Sequence, residues 1–159
     1  MKDQQAVQPA TTPGALATEA LEDWHWSAAQ SEVATRVFPG RSDQIACARA
    51  FVRAALGPVP VVDEAVLLVS ELCTNALLHT ASGDGGTFEV AVYPGSFSVC
   101  VEVRDGGANQ APGVRQPAAH LAEDGRGLSL VELLADRWGY SGDRSGRSVF
   151  FELHWKQPD

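Results

Sequence analysis

Glu71, Asn75 and His79 recur every four residues in the stretch VLLVSELCTNALLHT. On an α-helix a step of four residues turns only about 40° past a full rotation, so the three side chains form one polar ridge on an otherwise apolar rod. A carboxamide at Asn75 can offer its oxygen to a hard cation such as Mg²⁺, which prefers oxygen ligands and keeps several waters. One turn away, Glu71 can serve as general base toward a hydroxyl or a water. His79, near the helix C-terminus, reads as a capping or core-edge histidine and is left outside the site. The plain alternative is a solvent-facing strip, which suits this helix less because its other sides are so apolar.

Two glycine-bearing segments follow. Asp105 ends the apolar run VCVEVRD and is followed by Gly106 and Gly107. A carboxylate there can accept a hydrogen bond from a ligand amino group while the glycines admit the ligand close to the backbone. An ordinary Asp-Gly turn explains the same residues when they are taken alone. Gly125 and Gly127 stand just ahead of a helical pattern, where open backbone N–H groups and the helix dipole favour phosphate. A simple glycine turn is the competing reading. Leu130 stands where a dinucleotide fingerprint needs its third glycine, and no G-x-x-x-x-G-K-[ST] string occurs. Only Lys2 and Lys156, near the ends, are lysines, so a mechanism needing an interior lysine is excluded.

These residues need a scaffold, and the patterning supplies one. Residues 1–22 lack periodicity and read as a flexible N-terminal tail, leaving 23–159 as a single domain; Trp24, His25 and Trp26 are expected to cover a core edge. Strand character runs from Val33 to Phe38 and stops at Pro39-Gly40. Ser42 is the expected N-cap of an amphipathic helix that ends at Gly57-Pro58. The ridge-bearing helix begins after Pro60, runs to His79, and should be central. Thr87–Tyr93 and Phe97–Arg104 alternate around Pro94-Gly95 as antiparallel neighbours. Gly106 to Asp124 lacks periodicity and reads as a lid-like loop. Gly127 opens a third helix with Leu128, Leu130, Val131, Leu133 and Leu134 on its core face, and Trp138–Tyr140 with Ser148–Trp155 form a closing hairpin. The fold class is therefore α+β: a two-layer sandwich with a mixed, mostly antiparallel sheet and helices on one face.

Composition narrows the function. A chain of 159 residues suits one domain, and no apolar run reaches bilayer length. Neither a membrane location nor a secretory leader is expected, so the cytoplasm is the default. The net charge of −8 argues against a nucleic-acid partner. Cys47, Cys73 and Cys100 are widely spaced among apolar neighbours and read as small core residues rather than zinc ligands.

In combination the motifs resemble a known family. ELCTNALLHT looks like the N-box, VRDGG the first glycine box and GRGLSLVELLADRWG the second glycine box of the GHKL ATP-binding superfamily, with its Bergerat-type, histidine kinase-like ATPase fold. The short layout resembles the bacterial anti-sigma factor serine/threonine kinases, and the resemblance covers about residues 32 to 155. It implies that Asn75 coordinates Mg²⁺ on the ATP phosphates, that Glu71 is the general base, and that Asp105 reads the adenine amino group. Gly107 would admit the nucleotide; Gly125, Arg126, Gly127 and Leu128 would cradle the phosphates; Ser148 matches a position where the family usually has Thr near the adenine. The implied partners are an anti-sigma-factor antagonist or a sigma factor, and a homodimer is compatible with the family. The chain departs from the pattern at Asn109, where another glycine is common, and at Glu123, where kinase members carry a basic residue. An acid at that point opposes transition-state charge. A nucleotide-binding regulatory module without phosphotransfer therefore stands beside the kinase.

Overall fold

The computed structural model describes residues 32–79, 85–106, 129–143 and 146–159. The expected tail, the Trp24–Trp26 cluster and nearly all of the lid-like loop lie outside the described residues. The chain runs through β1 (Ala34–Pro39), α1 (Gln44–Leu56), α2 (Val62–His79), β2 (Thr87–Pro94), β3 (Ser98–Asp105), a helical stretch over 129–134, β4 (Arg137–Asp143) and β5 (Gly146–His154). This is the expected order of elements. The described residues form one five-stranded sheet in the order β1-β2-β3-β5-β4, every pairing antiparallel.

Both helices pack on one face of that sheet, α1 against β1 and β2 and α2 against β3 and β5. Ala48 and Val52 of α1 and Ala65, Leu68, Val69, Leu72, Cys73 and Ala76 of α2 meet an inner row of strand residues. That row is Phe88, Val90 and Val92 of β2, Val99, Val101 and Val103 of β3, and Phe151 and Leu153 of β5. Spacings of three and four on the helices and two on the strands are what bring these residues to one layer. Burying each large aliphatic side chain is worth roughly 1.5–3 kcal/mol, so this layer is the main stabilising element. Phe38 of β1 stacks on Phe88 with ring centroids 5.4 Å apart and meets Phe51 of α1 edge-on at 5.9 Å. Val131 of the 129–134 stretch also belongs to this core.

Four expectations need correction, the first being Leu133, expected on the core face of the third helix and found exposed. The cap of α1 is Asp43 rather than Ser42, and its carboxylate makes no capping bond because it is held by Arg41 at 3.0 and 3.3 Å. A guanidinium two residues away thus outcompetes the helix N–H groups for that carboxylate. Cys47 is exposed on α1, whereas Cys73 and Cys100 are buried; all three thiols are free. Helix α2 is less enclosed than its composition suggests, with Leu67 and Leu78 exposed on its outer flank. Among the described residues no helix is long and apolar enough to cross a membrane.

The second face of the sheet carries an unexpected polar layer. Ala91, Tyr93, Cys100, Glu102, Phe150 and Glu152 point away from the helices by strand alternation and are all buried. Phe150 lies across Gly139 of β4, where an added Cβ would come within 2.8 Å of its ring. Glycine at 139 is what lets that ring lie flat on the sheet.

Candidate functional site

Glu71 and Asn75 lie one turn apart at the edge of the buried stripe of α2, and both are half-buried. Their neighbours on the helix differ from them in a telling way. Ser70 donates its hydroxyl to the Val66 carbonyl at 3.0 Å, and Thr74 donates to the Ser70 carbonyl at 2.8 Å, so both are satisfied within the helix. Among the described residues the Glu71 and Asn75 side chains make no hydrogen bond or ion pair. A carboxylate and a carboxamide left in that state on the flank of an apolar helix are poised for a polar ligand.

Asp105 is the last residue of β3 and continues the inner row of Val99, Val101 and Val103. Its side chain is 2% exposed and accepts from Nε of Arg147 at 3.3 Å. Arg147 is its direct cross-strand partner on β5, and its own side chain is 18% exposed. Gly142 of β4 is the cross-strand partner of Arg147 on the other side, with φ +121°, and a Cβ there would overlap the Gly146 and Arg147 backbone, so this close approach of the two strands requires glycine. The sheet thus ends, on the helix side, in a buried carboxylate paired with a guanidinium. Helix α2, with Glu71 and Asn75, packs on the two strands that supply this pair.

Ser148 is not brought to this site. It is paired with Arg104 rather than with Asp105, faces away from the helices, and donates its hydroxyl to Oε1 of Glu102. The inward residue at this end of β5 is Arg147, which sequence reasoning missed. The signal was present in the alternation of Val149, Phe151 and Leu153, which fixes odd-numbered positions of β5 as inward. Gly107, Asn109, Glu123, Gly125, Arg126, Gly127 and Leu128 lie outside the described residues, as does the side chain of His79.

The polar layer on the outer face is saturated. Glu102, 2% exposed, accepts from the Tyr93 hydroxyl at 2.9 Å, from Nε and Nη2 of Arg104 at 3.0 and 2.9 Å, and from Ser148. Arg104 also reaches Glu89 at 2.8 Å, and Glu152 is met by Arg137 at 3.4 Å and His154 at 3.1 Å. Burial first, then the Glu102 carboxylate, pushes the Tyr93 hydroxyl above the ordinary phenol value. Burial likewise raises the Cys100 thiol, with Glu152 and Glu102 adding to it. The hydrogen bonds that Arg104 donates to Glu102 raise the guanidinium further. Tyr93, Cys100 and Arg104 therefore hold their protons at neutral pH, and with its carboxylates already paired the network reads as structure rather than as acid–base machinery.

No curated protein matches the sequence closely enough to count as a relative. The family described as Histidine kinase-like ATPase domain matches residues 38–152, from the end of β1 through most of β5, and so spans α1, α2 and the Asp105–Arg147 pair. ATP binding is the common property of that fold, and the buried Asp105 carboxylate and the half-buried Glu71–Asn75 ridge are chemically suited to it. By the extent of this match the chain belongs to the histidine kinase-like ATPase family.

Proposed function

We propose that this chain is a Mg-ATP-dependent regulator of the anti-sigma type, and that it phosphorylates a serine or threonine of an anti-sigma-factor antagonist. The observation that carries the reading is the half-buried Glu71–Asn75 pair, without a protein partner among the described residues, on a helix packed against the strand of Asp105. The donor set fits the ligand: Asp105 accepts from the adenine amino group, and Asn75 offers an oxygen to Mg²⁺. Among the described residues no cluster of three or more His, Cys, Asp or Glu could hold a metal, so phosphate and water oxygens would complete the shell. When bound, Mg²⁺ neutralises charge on the phosphates. Glu71 takes the proton of the attacking hydroxyl as its oxygen bonds to the γ-phosphorus, and the bond to the ADP oxygen breaks.

The test is phosphotransfer from labelled ATP to an antagonist protein encoded beside this chain, with wild type and Glu71→Gln side by side. Loss of the general base is expected to slow transfer by roughly 10²–10⁴-fold while leaving ATP binding and thermal stability near wild type. Equal transfer by the two proteins removes Glu71 from the chemistry. A second reading, a nucleotide-binding module that regulates its partner by contact alone, is favoured by Glu123 and Asn109 in the sequence. Saturable Mg-ATP binding with no transfer by wild type selects it.

A further inference from the structure

Asp105 cannot be considered as a base-reading group without Arg147. The two are direct cross-strand partners at the inward end of β3 and β5, joined at 3.3 Å, and both are largely shielded from water. The hydroxyl that the family pattern offers for this neighbourhood is turned to the other face, where Ser148 is engaged with Glu102. The donor beside Asp105 is therefore a guanidinium.

The chemistry of the base matches that arrangement. In adenine the exocyclic amino group, a donor, is flanked by ring nitrogens that accept, N1 on one edge and N7 on the other. Reading either edge takes an acceptor next to a donor. Asp105 is the acceptor, and Arg147 spends Nε on it while the terminal nitrogens of its fork carry further donors. Guanine carries a carbonyl oxygen where adenine has its amino group, and on either edge would set that oxygen against the Asp105 carboxylate.

We propose that Arg147 is a specificity-determining residue of the nucleotide site, donating to the adenine ring nitrogen that flanks the amino group read by Asp105. This rests on the reading of the chain as an ATP binder. It differs from a purely structural ion pair in one respect: a guanidinium that only neutralised Asp105 would be indifferent to atoms of the ligand, whereas a base-reading one senses the ring nitrogen.

The experiment pairs a change in the protein with a change in the ligand. Affinities of wild type and Arg147→Met are measured by titration calorimetry for Mg-ATP, for its 1-deaza and 7-deaza analogues, and for Mg-GTP. A hydrogen bond from a charged donor predicts that wild type loses about tenfold in affinity for one of the two deaza analogues. Arg147→Met loses about as much for ATP and little more when that nitrogen is also absent. Its preference for ATP over GTP also narrows. The wild-type measurement decides the question even if the variant folds poorly: equal affinity for ATP and both analogues overturns the proposal. So does an Arg147→Met protein that binds ATP as tightly as wild type, or one that loses affinity equally for ATP and both analogues. Wild type that binds no ATP at all overturns the ATP-binding reading itself, and the proposal with it, so the two failures are distinguishable.

Discussion

The two faces of the sheet hold similar side chains and use them in opposite ways. On the outer face, Glu102 and Glu152 are buried and surrounded by Tyr93, Ser148, Arg104, Arg137 and His154 within the protein. On the helix side, the apolar layer ends at Asp105 and Arg147, and the Glu71 and Asn75 side chains on α2 have no partner among the described residues. Buried polar groups are costly unless satisfied. A network that satisfies itself contributes to the fold and has little to offer a ligand. Glu71 and Asn75, without a partner among the described residues at the edge of a core, are where a ligand can relieve such a cost. Burial alone therefore does not mark a site; burial together with incomplete internal pairing does.

Breaking the outer network is the severest test of this contrast. Glu102→Gln removes the charge that Arg104, Tyr93 and Ser148 converge upon. Breaking a buried ion pair typically costs about 3–5 kcal/mol. Because the Arg104 side chain is 49% exposed and can turn to water, the expected loss in urea unfolding is smaller, about 2–3 kcal/mol. Affinity of the folded variant for Mg-ATP should be unchanged, and an equal fall in binding would show that the two faces are not separate.

Thiols on either side of the sheet sharpen the contrast through pH. Burial pushes Cys73 of α2 from 9.0 up to about 12. The unfolded chain begins to lose that proton near pH 9 while the folded chain holds it to about pH 12, so over this interval the unfolded state binds fewer protons. Stability attributable to this group is full below pH 9 and falls as pH rises, with a slope approaching about 1.4 kcal/mol per pH unit. Cys73→Ala should be less stable at pH 7 through lost packing, yet lose stability more slowly than wild type between pH 9 and 12. Parallel curves for the two proteins would mean that the thiol is not shielded as the packing requires. Cys100→Ala should flatten the same limb from the outer face.

Much of this organisation was legible in the residues themselves. The four-residue spacing of Glu71 and Asn75, set among Leu68, Leu72 and Ala76, is a local pattern that survives any tertiary arrangement, and so is the alternation in Thr87–Tyr93. Caps and strand partners are not local in that sense. The cap of α1 falls one residue past Ser42, and the Asp43 carboxylate there binds Arg41 instead of the first-turn N–H groups, a competition that propensity does not weigh. Ser148 and Arg147 differ by one position, and a one-residue shift in a strand exchanges the two faces. The hydroxyl suggested by the family pattern drew attention to Ser148, whereas the inward apolar residues of β5 place Arg147 beside Asp105. The outer network was invisible for a related reason: Glu89, Tyr93, Glu102, Arg104 and Ser148 come together only once the registers of β2, β3 and β5 are fixed.

The smallest effect supplies the control. Arg53 of α1 meets Asp63 of α2 at 3.0 Å, close to the 2.9 Å between Arg104 and Glu102, so in distance the two ion pairs are nearly the same. Their surroundings differ: Arg53 and Asp63 are 55% and 87% exposed, while Glu102 is enclosed. An exposed pair gains little in high dielectric and spends side-chain entropy to hold its geometry, so Asp63→Asn should cost less than about 0.5 kcal/mol. Part of that cost belongs to the helix dipole, because Asp63 also lies in the first turn of α2. Both contributions are screened by salt, and the difference between Asp63→Asn and wild type should shrink further at high ionic strength. The Glu102→Gln difference should largely persist there, since the carboxylate itself is enclosed and out of reach of the solvent ions. If salt erased both differences alike, the outer face would be as open to solvent as the helix surface, and its charges would not form the closed network that distinguishes it from the helix side.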